Sequence, residues 1–147
     1  MASAPNTEEA FLRKYWVNEM DKKALGNRGE GFAAEFYKKL GFSITAQNYT
    51  CRGGEIDIIA ENGEYIIFVE VKTRSVKSLY SPAEAVDVKK QKRLTVAAMK
   101  YLSENESEKQ PQFDVFEVYT QNERIYKVNR IENAFEAFNF GGRYDIF

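Results

Sequence analysis

The stretch Gly54-Glu55-Ile56-Asp57-Ile58-Ile59-Ala60-Glu61-Asn62-Gly63-Glu64-Tyr65-Ile66-Ile67-Phe68-Val69-Glu70-Val71-Lys72 consists of two apolar runs joined by a short polar turn. Both runs are rich in β-branched and aromatic residues, which predicts strands. Asn62-Gly63 between them signals a type I′ hairpin turn. A two-residue loop there pairs Glu61 with Glu64, Asp57 with Phe68, and Glu55 with Glu70. Because side chains alternate, Glu55, Asp57, Glu70 and Lys72 then share one face. Ile56, Ile58, Ala60, Ile67, Val69 and Val71 form an apolar underside suited to packing under a helix.

In that register Asp57 and Glu70 are diagonal neighbours, roughly 7 to 8 Å apart at the backbone, so both carboxylates reach a single ion. Two carboxylates this close repel unless a proton or cation lies between them. Mg²⁺ accepts one or two protein carboxylates and fills its other positions with water and substrate phosphate. Such an ion activates a water and neutralises charge on a phosphate. Lys72 adds a fixed cation for the developing negative charge. The competing reading is a solvated strand face with ordinary surface ion pairs. Against it, the acids interrupt strands that are otherwise apolar enough to be buried.

Outward from the hairpin, Ala33, Phe36, Tyr37 and Leu40 recur at helical spacing after Gly26-Asn27-Arg28-Gly29-Glu30, and Gly41 supplies a stop. Glu30 lies on or beside the apolar stripe of this helix, whereas a first-turn Glu that serves only the helix dipole stays solvated. Residues 42–44 begin an extended segment. Ser81-Pro82-Ala83-Glu84 reads as a capping box opening a helix, with a break near Asp87 allowed for and Leu94, Ala97, Ala98 and Tyr101 on its buried side. Residues 113–119 and 125–128 read as two further strands around a turn at Gln121-Asn122. A last helix is expected from Asn129, with Glu132 as capping partner and Ile131, Ala134, Phe135 and Phe138 buried. The expected fold is α/β, a mixed central β-sheet flanked by helices.

The 147 residues suffice for one domain, expected over residues 23–138, between a helical extension (1–22) and a tail (139–147). Leu12, Tyr15, Trp16 and Met20 give the extension an aromatic face, which serves the protein's own core, a partner, or a homodimer contact. No apolar run approaches the roughly 18 to 20 residues that cross a bilayer, and no signal peptide is evident, so the chain reads as cytoplasmic and not membrane-bound. The lone Cys51 cannot form an internal disulfide. Histidine is absent, which excludes Ser-His triads and His-ligated zinc. The net charge of -1 gives no global basic field, so any nucleic-acid affinity must be local.

Asp57, twelve residues, then Glu70-Val71-Lys72 resembles the PD-(D/E)xK nuclease signature of the restriction-endonuclease-like superfamily. Its setting is more specific: Gly29-Glu30, Asn48, Gly54-Glu55-Ile56-Asp57, Phe68-Val69-Glu70-Val71-Lys72-Thr73-Arg74-Ser75, Ser81-Pro82-Ala83-Glu84-Ala85-Val86 and Lys90-Gln91-Lys92-Arg93-Leu94. The series resembles the YraN family of bacterial endonuclease-like proteins, related in fold to Holliday junction resolvases, from about Leu25 to Phe138. The resemblance implies an αβββαβ core, to which the helical patterns read above add an N-terminal and a C-terminal helix; the helix before Leu25 and the aromatic tail after Phe138 depart from the family pattern. It implies Asp57, Glu70 and Glu30 as ligands of Mg²⁺ or Mn²⁺, Lys72 as catalytic lysine and Gln91 as a helix polar residue near the site. Glu55 belongs to the same pattern, with two roles open to it: a water-mediated metal contact, or orientation of Arg52.

Between Lys72 and Arg93, the residues Arg74, Lys77, Lys89, Lys90, Lys92 and Arg93 form a basic strip leaving the acidic strand. Phosphate contacts need such residues. No aromatic surface patterned for stacking single strands accompanies them, which favours backbone and shape recognition of DNA over base reading. The expected function is a metal-dependent DNA nuclease, selective for branched or junction structure. The alternative is a nucleic-acid-binding module of the same fold with little turnover, and a third reading is a pure interaction protein that uses the N-terminal helix.

Overall fold

The computed structural model describes residues 25–75, 86–122 and 124–141. The expected N-terminal helix, Lys77, the capping box at 81–84 and the end of the tail lie outside the described residues.

Helix α1 (Leu25–Lys39) is followed by three strands, β1 (Ser43–Cys51), β2 (Gly54–Glu61) and β3 (Tyr65–Ser75), then helix α2 (Val88–Glu104) and strands β4 (Gln110–Gln121) and β5 (Arg124–Phe135). The strands form one sheet in sequence order. Among the described strands only β3 and β4 run parallel, and α2 lies in the crossover that a parallel pair requires. This is the expected mixed α/β sheet with helices on its faces, consistent with a restriction-endonuclease-like core.

Each helix covers one face. Phe32, Ala33, Phe36 and Tyr37 of α1 bury against Ile58, Ala60, Ile67, Val69, Phe116 and Val118. Leu94, Ala97 and Ala98 of α2 bury against Ile56, Ile59, Ile66, Phe68, Phe113 and Val115. Helix α1 ends as its glycine requires: Gly41 takes φ 95, and the Phe42 N–H bonds back to the Tyr37 carbonyl. Helix α2 starts at the break near Asp87, whose carboxylate accepts the Lys90 N–H as N-cap.

Three sequence expectations are corrected. The hairpin register is displaced by two residues: Glu61 faces Ile66 and Ile58 faces Val69. Neither Asn62 nor Gly63 has the positive φ of a type I′ turn. Instead the Asn62 side chain accepts the Glu64 and Tyr65 N–H groups, while its own N–H bonds the Tyr65 carbonyl. A displacement of two preserves which residues share a face but changes their partners.

Ile56 is the second correction, for it packs on the α2 side while Ile58 packs on the α1 side. Strict alternation would put both on one face, so the strand breaks step at Asp57.

The helix expected from Asn129 does not form; the chain runs on as β5 to Phe135, paired with β4. Asn133 adopts φ 50 where the β4–β5 register shifts. This bulge interrupts the two-residue alternation, so apolar residues at 131, 134, 135 and 138 mimic helical spacing. Ile131 is exposed, while Phe135 stacks on Phe113 with centroids 4.7 Å apart.

Candidate metal and phosphate site

The site forms where β2 and β3 part. Their ladder ends at Ile58–Val69, and the same register continued by one residue sets Asp57 opposite Glu70. Asp57 turns its carboxylate into the fork, where Oδ2 accepts the Val71 N–H at 2.8 Å. On its other side, Asn48 lies between the Gln47–Ile58 and Tyr49–Ile56 pairs and therefore faces Asp57 from β1. Asn48, Asp57 and Glu70 thus form one rank across three strands. Asn48 has φ 51, a left-handed conformation that Asn tolerates better than most residues.

Glu70 is 7% exposed, and its Oε2 is buried with no hydrogen-bond partner. Its Oε1 lies 3.2 Å from the Lys90 ammonium. Burial, then the Asp57 charge, raises the Glu70 carboxyl from its ordinary 4.5 to about 7, against the opposing pull of Lys90. Burial and then Asp57 also raise the Glu30 carboxyl, and a hydrogen bond with Asn48 offsets part of that. Three carboxyl groups therefore press on one region, and two of them resist ionisation.

Two glycines let the helices approach closely enough to deliver their residues. A Cβ on Gly29 would meet the Thr73 hydroxyl of β3, which would have to turn aside, so the glycine lets the first turns of α1 approach β3 and bring Glu30 beside Asp57. A Cβ on Gly54 would collide with the Arg93 carbonyl and lie 2.9 Å from the Ala97 nitrogen. That contact seats the N-terminal half of α2 on β2, with Lys90 and Arg93 over the acids. Lys90 Nζ bridges Glu70 and, at 3.4 Å, Glu55, while Arg93 lies 3.8 Å from the same Glu55 oxygen. Burial lowers the Lys90 pKa, but Glu70 and then Glu55 outweigh it and the net shift is upward.

Asp57, Glu70 and Glu30 are thus brought together, and Lys72 follows Glu70 by two residues on β3, half-buried and in register with Glu117 of β4. Glu55 is paired with Lys90 and Arg93 of α2, partners that neither of the two roles read from the sequence included. Gln91 spends its amide on the Val86 carbonyl at 2.8 Å, bracing the start of α2. Among the basic residues, Lys89, Lys92 and Arg93 are exposed on α2, with Lys92 4.6 Å above the Phe138 ring. Arg74 instead turns to the buried Glu117, 3.1 Å away.

Among the described residues, no three or more acidic, cysteine or histidine side chains stand at metal-centre spacing. Asp57 and Glu70 are a pair, with Glu30 as their neighbour. Such a pair suits Mg²⁺ or Mn²⁺, which need few protein ligands when water and phosphate complete the shell. The orphaned Glu70 Oε2 is the atom that fits such an ion. Sequence reasoning had no role for Asn48, and it counted Lys90 with the phosphate contacts, not with the acids. The signal for Lys90 was the close approach implied by Gly54, which only the packed helix reveals.

A family model described as "Uncharacterised protein family UPF0102" matches residues 29–118, a span that contains every residue of the rank and of its helix partners. The chain is 43% identical over 122 residues to a UPF0102 protein of Caldanaerobacter subterraneus, covering 81% of this chain and all of the relative. A UPF0102 protein of Alkaliphilus oremlandii is 44% identical over 119 residues, 79% of this chain and all of the relative. One from Symbiobacterium thermophilum is 43% identical over 116 residues, 78% of this chain and 98% of the relative. No described helix is long and apolar enough to cross a membrane.

Proposed function

The chain belongs to the UPF0102 (YraN) family, and we propose that its strand fork is the active site of a divalent-metal-dependent nuclease acting on DNA. The observation that carries this reading is the buried, partnerless Glu70 Oε2 facing the Asp57 rank. A buried polar atom left unsatisfied costs free energy and calls for a ligand. Asp57 and Glu70 would hold Mg²⁺ or Mn²⁺, which when bound supplies an acidified water and Lewis acidity at phosphorus.

The chain's own groups do the remaining work. Asp57 is oriented by the Val71 N–H, so its position is set before any substrate arrives. Glu30 adds negative potential behind Asp57, favouring cation binding. Lys72 has no ion pair among the described residues, which leaves its ammonium available to the charge that develops on the phosphate. Lys89, Lys92 and Arg93 line the approach along α2 and suit contacts to the DNA backbone in place of base reading; selectivity for branched substrates is what the family resemblance adds.

The test is cleavage of linear, single-stranded and four-way-junction DNA with Mg²⁺ or Mn²⁺. The expected result is metal-dependent cleavage, strongest on the junction, that falls by on the order of 100-fold or more in Asp57→Asn. Metal-dependent cleavage that persists in Asp57→Asn would overturn the assignment of the site. A second reading, a nucleic-acid-binding module with little turnover, is favoured by one observation: Lys90 already neutralises Glu70 without a metal. Salt-sensitive junction binding with no product at any metal concentration would select it.

A further inference from the structure

Lys90 is the one cation among the described residues that touches the metal-facing carboxylate, and it comes from the helix that carries the exposed basic residues. Its backbone is fixed, because its N–H is held by the Asp87 N-cap and α2 is seated on Gly54. Its side chain is not fixed in the same way. Four flexible methylenes end in an ammonium that bridges Glu70 and Glu55 at 3.2 and 3.4 Å, and the side chain is 27% exposed, so a route outward is open. The Glu70 oxygen opposite the one that Lys90 holds is the orphaned one.

We infer that Lys90 is a resident counter-ion that a divalent cation displaces from Glu70, and that the displaced ammonium becomes the phosphate contact nearest the metal. This inference rests on the metal-site reading above. A dication beside Glu70 puts two positive charges next to the ammonium, and repulsion at this range is strong in a half-buried site. Rotated outward, Lys90 joins Lys89, Lys92 and Arg93, where a DNA phosphate replaces the lost carboxylate. Lys90 therefore opposes metal binding without DNA and supports it with DNA. By linkage, metal and DNA binding must then strengthen each other by the same factor. Glu55 retains Arg93 when Lys90 leaves, so the displacement does not strand a second acid.

The experiment is calorimetric titration of Mn²⁺ into the full chain at pH 8, using wild type, Lys90→Gln, Lys90→Arg and Asp57→Asn. Circular dichroism checks each fold. Lys90→Gln is expected to bind Mn²⁺ about 10-fold more tightly than wild type, a difference of about 1.4 kcal/mol. Lys90→Arg is expected to stay near wild type. Unchanged or weaker binding by Lys90→Gln, with binding lost in Asp57→Asn, would overturn the counter-ion role and leave the metal site standing. Equal binding by wild type and Asp57→Asn would overturn the metal site itself.

A second arm measures the salt dependence of junction binding in a Lys72→Gln background, which keeps the DNA intact. With EDTA, Lys90→Gln is expected to leave the slope unchanged. With Mn²⁺, the chain that retains Lys90 is expected to be steeper by about 0.9, the value of one phosphate contact. Equal slopes with Mn²⁺ would refute the phosphate contact.

Discussion

Glu70 and Asp114 are buried acids on neighbouring central strands, and they are treated in opposite ways. Asp114, 0% exposed on β4, pairs with Val69 and therefore points to the α1 face, while Glu70 points to the α2 face. Both Asp114 oxygens are fully engaged. Oδ2 accepts the Tyr37 hydroxyl at 2.7 Å and Arg130 Nε at 2.8 Å, and Oδ1 accepts the Gln112 amide and the Asn133 N–H. Glu70 has one ammonium on one oxygen and no hydrogen-bond donor on the other, with the Asp57 carboxylate as its neighbour. An acid buried with a full set of donors is part of the scaffold, whereas one buried half-satisfied keeps capacity for a ligand. Burial alone does not distinguish structure from function here; the count of donors does.

The largest effect is expected at the satisfied acid. Asp114→Ala leaves the half-buried Arg130 without its main partner and frees the Tyr37 hydroxyl. Removing one partner of such a pair costs about 3–5 kcal/mol, a large share of the roughly 5–15 kcal/mol that holds a domain of this kind. Chemical denaturation should show a lower midpoint with little change in slope. A loss under 1 kcal/mol would refute the scaffold role and the contrast with it.

Next in size is the packing of α2. In Gly54→Ala the new methyl meets the Arg93 carbonyl and the Ala97 nitrogen, both rigid helix backbone. Overpacking of this sort costs about 1–3 kcal/mol. It should also push the N-terminal half of α2, and the exposed basic residues it carries, away from the fork, so DNA binding should weaken along with stability. Gly63→Ala is the control, because nothing lies within 4 Å of its added Cβ, and it should change stability by less than about 0.5 kcal/mol. Equal effects at the two glycines would show that α2 gives way easily.

The contrast between the two acids was only half legible in the sequence. Parity along the hairpin placed Asp57, Glu70 and Lys72 together because face assignment survives a register error of two residues. It could not place Asp57 directly opposite Glu70, because the Asn62 side chain replaces a backbone partner in the turn, and that depends on the rotamer it adopts. The step out of phase at Ile56 and the φ of Asn48 were equally hidden, since both are responses to the fork. Asp114 drew no notice, for its donors come from α1, β4 and β5, and Arg130 was assigned to a helix that is a bulged strand. Long, strongly patterned elements such as α1 and β3 were read correctly because one face of each has to be buried whatever the turns do.

The smallest expected effect tests the unsatisfied acid most directly, through pH. The folded-state Glu70 carboxyl is raised from 4.5 to about 7, so between those values the folded chain holds a proton that the unfolded chain releases. Stability then falls as pH rises through that window, and the full penalty is present above about 7. Metal-free wild type should lose a few degrees of Tm between pH 5 and pH 8. Glu70→Gln carries no such charge, so it should match wild type near pH 5 and exceed it at pH 8. Mn²⁺ should reverse the order: it stabilises wild type at pH 8, where Glu70 is ionised, by about 2.7 kcal/mol at 100 times Kd, and does little at pH 5 or in Glu70→Gln. A wild-type Tm that is flat from pH 5 to pH 8, with Glu70→Gln superimposed on it, would mean that the fork ionises without cost. The half-satisfied acid would then be no more poised for a cation than Asp114 is.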